Sequence, residues 1–397
     1  MSHRRLPVLF DAEAGIDISA PSDGRRVVIA GLFEINTVAC HPKAILASTL
    51  FVMVTTGNAM RHLLLALRPI GAGTQMTESV TLLLAIVALI GAAYAYYWHS
   101  PAPPLPPLGG AIRRNTIRVG GEDRTYLTYV PASLPPQSAL VIVLHGSGMD
   151  GARMRLCTGY EFDRLADQHR FVVLYPDGYR RNWNDCRKNA TFPAKRENID
   201  DMSFMRELIA RATVEQAIDE KRVYIFGYSN GGHMAFRSAM EAPDEIAAVA
   251  AVAASLPTPD ASECPEHGRT SRVMLINGTS DPINPYQGGM VTLFGFASRG
   301  TVMSSVASAQ NFATRNGITT QPTPGEVPQG VSNDSTSVES LTWHANGTPL
   351  YCLCTVRGGG HVIPQPTYRF PRLLGKTTGL LNAPREAIRF FERDRLV

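Results

Sequence analysis

The sequence carries little charge and has no cysteine pair with metal-binding spacing. Charged residues make up 18% of the 397 residues, and the formal net charge is +4. No basic stripe with interleaved aromatic residues occurs, so we do not expect nucleic acid as a partner. None of the six cysteines forms a Cys-x-x-Cys pair, which argues against a structural zinc site. No internal repeat is evident. We therefore expect a globular protein that binds neither metal nor nucleic acid.

Five of the six cysteines lie beyond residue 150: Cys157, Cys186, Cys264, Cys352 and Cys354. They suit one or two disulfides in an oxidising compartment, but they also suit buried free thiols. Cys352 and Cys354 stand two residues apart on a predicted strand, where geometry disfavours a bond between them. The sequence does not determine any other pairing.

One long apolar run, residues 79–98, contains no charged residue and ends in a cluster of tyrosines and a tryptophan. Its length matches a helix that crosses a hydrocarbon core, and its aromatic end is typical of a membrane interface. We predict a transmembrane signal anchor here. Residues 44–59 are a weaker candidate for a second span, and we expect residues 1–78 to be poorly structured. If translation began at Met76, the first 75 residues would be an artefact of start-site assignment.

A proline-rich stretch follows the apolar run and predicts a stiff linker over residues 99–112. Arginines stand on both sides of the run, so charge gives no clear membrane orientation. The signal-anchor layout and the cysteine usage favour a catalytic domain outside the cytoplasm, either periplasmic or extracellular.

Beyond residue 112 short apolar runs alternate with helical patterns, which predicts a mostly parallel sheet with helices on both faces. The predicted strands are 124–130, 139–144, 171–175, 222–226, 247–252 and 273–276, followed by a hairpin, 335–343 and 349–356, that turns at Asn346-Gly347. The predicted helices are 161–168, 202–216, 230–240, 302–315 and 384–395. The fold class is α/β, with one domain over residues 113–397.

The strongest chemical motif is the G-x-S-x-G sequence from Gly227 to Gly231, with Ser229 at its centre. A buried strand precedes it and a helix follows it, as the nucleophile elbow of an α/β-hydrolase requires. The backbone amides of Ser147 and Asn230 are the candidate oxyanion hole, because Ser147 follows an early strand and Asn230 follows the nucleophile. His145 precedes the nucleophile, so we interpret it as a structural residue that holds its loop by hydrogen bonds.

The acid and the base should follow the nucleophile in that order. Asp281 comes a few residues after a buried strand, in a turn that Pro282 helps to fix, and we predict that it orients the catalytic histidine. His361 follows the last predicted strand and three glycines, and we predict that it is the base. The paired carboxylates Asp200 and Asp201 are better explained by helix capping than by catalysis.

Five segments in order, LHGSG, YPDG with WND, GYSNGGHMA, NGTSDPINPYQGG and GGGHVIPQP, resemble the polyhydroxybutyrate depolymerase and feruloyl-esterase-like (LpqC-type) family of secreted esterases. The resemblance covers residues 113–397 and implies a serine carboxylic-ester hydrolase that needs no cofactor. It places Ser229, Asp281 and His361 on the family's catalytic positions. The sequence departs from the family pattern at two places: Val362 and Ile363 replace a polar-aromatic pair after the histidine, and His233 stands where methionine is common.

The expected substrates are small or oligomeric esters, since no separate module for binding a polymer surface is evident. A feruloyl or acetyl-xylan-type carbohydrate esterase is the alternative. A membrane-tethered binding module without catalysis is an alternative of another class. Trp183, Tyr228 and Tyr286 are candidate substrate-binding residues, although packing beneath a loop would explain each equally well.

Overall fold

The computed structural model describes residues 74–325 and 335–392. Helix α1 (Thr74–Tyr97) contains an apolar window, Val80–Tyr97, that is long enough to cross a membrane, and none of this window is buried. An apolar N-terminal helix of this kind, together with a disulfide, suggests the secretory pathway. Apart from the first turns of α1, the predicted N-terminal region 1–78 and the second candidate span 44–59 lie outside the described residues.

A ten-stranded sheet forms the centre of the fold. Its strands are β1 (Ala111–Val119), β2 (Glu122–Val130), β3 (Ser138–Leu144), β4 (Val172–Pro176), β5 (Ile218–Tyr228), β6 (Ala248–Val252), β7 (Arg272–Gly278), β10 (Thr323–Pro324), β11 (Ser337–Ala345) and β12 (Thr348–Arg357). They lie in the order β1-β2-β4-β3-β5-β6-β7-β12-β11-β10. In this order the strands from β4 to β12 are parallel, and both edges are antiparallel. Strands β8 (Gly289–Met290) and β9 (Thr301–Val302) form a separate pair.

Helices cover both faces of the sheet, and successive residues of a strand contribute to opposite cores. Leu140 and Ile142 of β3 belong to one hydrophobic cluster, whereas Val141 and Val143 belong to the other. This explains why β3 is apolar throughout. The helices after α1 are α2 (Gly151–Cys157), α3 (Glu161–His169), α4 (Pro193–Arg196), α5 (Asp201–Gln216), α6 (Asn230–Glu241), α7 (Ser305–Arg315) and α8 (Ala383–Phe391).

A disulfide joins Cys186 to Cys264, which are 78 residues apart. Cys157, Cys352 and Cys354 are buried thiols outside this disulfide. The chain therefore contains both a disulfide and buried thiols, the two possibilities that the sequence left open. Cys352 and Cys354 are not bonded to each other, as predicted.

Some predicted boundaries need correction. Strand β1 begins at Ala111, so the last two residues of the predicted linker belong to the sheet. The linker also contacts the domain, because Pro103 is buried and the amide of Gly109 donates to Asp167. Helix α7 begins at Ser305, three residues later than predicted, because the side chain of Ser304 accepts a hydrogen bond from the amide of Ala307 and caps the helix there.

Candidate active site

Ser229 lies in the turn between β5 and α6, with backbone angles of φ 54° and ψ −118°. A non-glycine residue adopts such angles only when its surroundings enforce them, at a cost of about 1–3 kcal/mol. The amide of Ser229 donates to the carbonyl of Val252 on the neighbouring strand over 2.8 Å. A Cβ atom on Gly227 would lie 2.1 Å from the carbonyl oxygen of Gly231, so this turn requires glycine. The motif therefore holds the Ser229 hydroxyl at the carboxyl edge of the sheet.

The strand order brings the predicted acid and base to the same edge. Nε2 of His361 lies 2.9 Å from Oγ of Ser229, and Nδ1 of His361 lies 2.8 Å from Oδ2 of Asp281. Because a carboxylate only accepts hydrogen bonds, the proton resides on Nδ1, and Nε2 is free to accept the serine proton. The other carboxylate oxygen of Asp281 accepts from the amides of Ile283 and Asn284, each over 2.8 Å. The acid is thus fixed on both of its oxygens.

Hydrogen bonds to its own backbone fix the position of His361. Its amide donates to the carbonyl of Leu374 over 2.7 Å, and its carbonyl accepts from the hydroxyl of Tyr228 over 2.7 Å. A Cβ atom on Gly360 would lie 2.0 Å from the carbonyl oxygen of Leu374. The glycine run before the histidine therefore lets two backbone segments approach closely.

The predicted oxyanion residues Ser147 and Asn230 both lie near Ser229. A Cβ atom on Gly146 would lie 3.4 Å from Cβ of Ser229, which places the loop after β3 beside Ser229. Asn230 is the first residue of α6, where backbone amides have no partner within the helix. In the part of the chain that the structure describes, the amides of Ser147 and Asn230 donate to no protein acceptor.

The prediction that His145 holds its loop by hydrogen bonds is confirmed. Its Nδ1 lies 2.8 Å from the carbonyl oxygen of Gly146, and its Nε2 accepts from the amide of Gly178 over 2.8 Å. Burial lowers the pKa of His145 to about 4, so the ring is neutral at physiological pH. The prediction of helix capping is also confirmed for Asp200, whose carboxylate caps α5 by accepting from the amide of Ser203. It is wrong for Asp201, whose buried carboxylate instead pairs with Arg124 over 2.8 Å and accepts from the amide of Asn184.

The three candidate substrate-binding side chains all bind protein groups. Trp183 has no exposed surface, and its indole N–H donates to the carbonyl of His145 over 2.9 Å, so it packs beneath the loop and does not line a pocket. Tyr228 is also buried, and its hydroxyl donates to the carbonyl of His361. Tyr286 is partly buried and shares a hydrogen bond of 2.7 Å with Thr355. A role for Tyr286 in binding substrate stays a prediction.

The two departures from the family pattern are also buried. Val362 and Ile363 belong to a hydrophobic cluster, so they pack in the core. The Nδ1 atom of His233 is buried without a partner among the described residues. Burial lowers the pKa of His233 well below its ordinary value, and the positive charge of Arg187 acts in the same direction.

The sequence did not reveal a buried polar network next to Asn230. The side chain of Asn230 donates to Asp185 over 2.6 Å, and Asp185 pairs with Arg187 over 2.5 Å. Asp185 is adjacent to the disulfide at Cys186. The only sequence signal was the WND tripeptide, which carried no indication of its partner.

The parallel sheet, the serine in a strained strand-to-helix turn and the histidine that joins it to an acid together define an α/β-hydrolase. A model of the phospholipase/carboxylesterase family matches residues 128–293. The chain is a carboxylic ester hydrolase that is similar to this family, and it is related to feruloyl esterases and polyhydroxybutyrate depolymerases.

Three curated relatives illustrate the relationship. NocK of Nocardia uniformis subsp. tsuyamanensis, a protein named as an esterase, is 28% identical over 75% of this chain and 88% of its own length. Feruloyl esterase D of Neurospora crassa is 25% identical over 81% of this chain and 99% of its own. Poly(3-hydroxyalkanoate) depolymerase C of Paucimonas lemoignei is 24% identical over 59% of this chain and 58% of its own.

Proposed function

We propose that the protein hydrolyses carboxylic esters through an acyl-enzyme, with Ser229 as nucleophile, His361 as base and Asp281 as the residue that orients the base. The observation that carries this proposal is the unbroken hydrogen-bond path from Ser229 Oγ through both ring nitrogens of His361 to Asp281. The strained backbone of Ser229 supports it, because strain of this kind is concentrated at functional sites.

The proposed reaction has two steps. His361 Nε2 takes the proton of Ser229 as the serine oxygen bonds to the ester carbonyl carbon, and the amides of Ser147 and Asn230 stabilise the oxyanion. The carbon–oxygen bond to the alcohol then breaks, and His361 protonates the departing alcohol. In the second step His361 takes a proton from water as the water attacks the acyl-enzyme. His361 then returns this proton to the Ser229 oxygen as the bond between that oxygen and the acyl carbon breaks, which releases the carboxylic acid and restores Ser229.

We propose small or oligomeric esters as substrates, of hydroxyalkanoate type or of feruloyl or acetyl-xylan type. The relatives named as a polyhydroxyalkanoate depolymerase, feruloyl esterases and acetylxylan esterases support this range. The same chemistry serves all of them, because the reacting group is an ester carbonyl in each case.

We also propose that Val80–Tyr97 anchors the catalytic domain, residues 113–397, outside the cytoplasm. The support is the unburied apolar surface of α1 and the Cys186–Cys264 disulfide, a bond that persists in oxidising compartments. Alkaline extraction of membranes that contain the native protein tests the anchor. Retention of the protein in the membrane pellet supports it, and release into the supernatant contradicts it.

The test of catalysis is hydrolysis of p-nitrophenyl acetate by the Ser229→Ala variant. We expect turnover to fall by roughly four or more orders of magnitude. The matched control is Ser133→Ala, the same change at an exposed serine, which should leave turnover unchanged. A fluorophosphonate should label the wild type and Ser133→Ala but not Ser229→Ala. Equal hydrolysis by wild type and Ser229→Ala would refute the assignment, and inactivity of the wild type towards every ester would favour a binding module.

A substrate panel tests the proposed range. Hydroxybutyrate oligomers, feruloyl esters and acetylated xylo-oligosaccharides are compared by kcat/KM with short acyl esters. A preference for insoluble polyester granules over all soluble esters would contradict the proposal.

A further inference from the structure

The segment Asn182–Cys186 contacts both of the proposed oxyanion residues, Ser147 and Asn230. It follows a 3₁₀ turn, Tyr179–Arg181, and ends at the disulfide to Cys264. No strand or helix includes it, yet the structure buries all five of its residues. A buried segment without regular structure has to satisfy its polar groups through specific partners. Those partners include both residues of the proposed oxyanion hole.

The first end of the segment binds the loop that contains Ser147. The hydroxyl of Ser147 donates to Oδ1 of Asn182 over 2.6 Å, and the amide of Gly148 donates to the carbonyl of Arg181 over 2.8 Å. The indole N–H of Trp183 reaches the carbonyl of His145, two residues before Ser147. The loop is therefore held on both sides of the Ser147 amide.

The middle of the segment binds the side chain of Asn230 on all of its polar atoms. The Asn230 oxygen accepts from the amide of Trp183 over 2.8 Å. The Asn230 nitrogen donates to the carbonyl of Trp183 over 3.1 Å and to the carboxylate of Asp185 over 2.6 Å. The side chain of the residue after the nucleophile cannot rotate without breaking three hydrogen bonds.

The far end of the segment is fixed by charge and by a covalent bond. Asp185 and Arg187 form a buried ion pair in which Nε and Nη2 of Arg187 both reach the carboxylate. Burial alone would raise the pKa of Asp185, but the charge of Arg187 outweighs this and lowers the pKa to about 2. A carboxylate that stays charged is a stronger acceptor for Asn230 than a neutral group.

We propose that Asn182 and Asp185 are positioning residues that set the separation of the Ser147 and Asn230 amides and thereby align the oxyanion hole. This inference rests on the proposed function. An oxyanion hole stabilises the transition state more than the bound ester, because charge on the carbonyl oxygen develops only during the reaction. Misalignment should therefore lower kcat and leave KM nearly unchanged.

The experiment compares Asp185→Asn with the wild type and with a matched control, Asp163→Asn. Asp163 is also a buried carboxylate that is paired with an arginine, Arg155, but it lies outside this network. Both variants should lose thermal stability. For Asp185→Asn we expect kcat to fall about 10- to 100-fold with KM within about threefold, since outright removal of an oxyanion donor costs about 10²- to 10³-fold. Asp163→Asn should keep the kcat of the wild type.

Binding of a trifluoromethyl ketone, which forms an oxyanion on Ser229, gives a second readout. Its affinity should fall by the same factor as kcat in Asp185→Asn and stay constant in Asp163→Asn. If Asp185→Asn does not fold, Asn182→Ala provides the same test at the Ser147 end, with a smaller expected loss of kcat.

Three results would overturn the inference: unchanged kcat in a folded Asp185→Asn or Asn182→Ala variant, a loss confined to KM, or an equal loss of kcat in Asp163→Asn. Failure of the proposed function is distinguishable, because the wild type would then hydrolyse no ester at all.

Discussion

The two sides of the candidate active site are built differently. On the acid–base side, Ser229, Asp281 and His361 each follow a strand of the central sheet, and β5, β6, β7 and β12 are consecutive neighbours. On the proposed oxyanion side, the side chains of Ser147 and Asn230 are hydrogen-bonded to the segment Asn182–Cys186, which belongs to no strand or helix. Neighbouring strands bring the first group to one edge of the sheet, whereas the second group contacts a buried polar network.

This difference determines what should disturb each side. The hydrogen bonds between β7 and β12 run over six residue pairs, from Tyr351 opposite Val273 to Val356 opposite Gly278. A single side-chain change leaves that ladder intact. The segment Asn182–Cys186 instead relies on one ion pair, one disulfide and a few side-chain hydrogen bonds. We expect changes on the acid–base side to act through chemistry and changes on the oxyanion side to act through geometry.

Of the changes that compare the two sides, Asp281→Asn on the acid–base side should lower kcat the most. This change keeps the shape of the acid but removes its charge. The amide group cannot stabilise the imidazolium of His361, and it can favour the wrong tautomer of the ring. We expect kcat for p-nitrophenyl acetate to fall about 10³- to 10⁴-fold, with little change in thermal stability. Stopped-flow and steady-state assays measure the loss. A fall of less than tenfold would show that Asp281 does not orient the base.

The acid–base side could be predicted from the sequence because each residue stands next to a signal that has a physical cause. Ser229 lies between glycines after a buried strand, Asp281 follows an apolar run, and His361 follows glycines that allow close backbone approach. Parallel strands end at one edge of a sheet, so residues in these positions must meet.

The oxyanion side could be predicted only in part. The positions of Ser147 and Asn230 follow from their places in the chain, but nothing in the sequence indicates that Asp185 pairs with Arg187 and binds Asn230. The partner of Cys186 is 78 residues away, and cysteine spacing alone does not determine disulfide connectivity. Contacts made by irregular loops depend on the finished fold, so a local pattern does not reveal them.

The second-largest loss of kcat is expected when the disulfide is removed by the double change Cys186→Ala and Cys264→Ala. Loop-closure entropy for 78 residues gives a loss of up to about 4 kcal/mol in the free energy of unfolding. We expect kcat to fall about tenfold, because Asp185 lies next to the released end of the segment. The downfield proton resonance of the His361 Nδ1–H group should not move.

Cys352, a buried cysteine outside the disulfide, provides the control for this prediction. Cys352→Ala removes a buried sulfur from β12 without releasing the segment, so it should lower stability but keep kcat. If the His361 resonance shifted in the disulfide variant, the two sides of the site would not be independent.

The smallest effect is the pH dependence of stability that His145 causes. Its pKa is about 4 in the folded protein, below the ordinary 6.5, because burial disfavours the charged ring. The unfolded chain therefore binds a proton first as the pH falls. The stabilisation is complete above pH 6.5 and is lost progressively towards pH 4. Between pH 7.5 and 5.5 this amounts to about 1 kcal/mol for one such histidine.

The variant His145→Gln isolates this contribution, because glutamine does not titrate but can donate to Gly146 and accept from Gly178. Denaturant unfolding at pH 7.5, 6.5 and 5.5 should show a shallower loss of stability in His145→Gln than in the wild type. His233 has a lowered pKa for the same reason and adds a loss of the same sign, which His233→Met should remove separately. The ordinary titration of carboxyl groups lies below this range, so it does not obscure the comparison. Identical slopes in the wild type and both variants would show that the neutrality of these rings does not stabilise the folded protein.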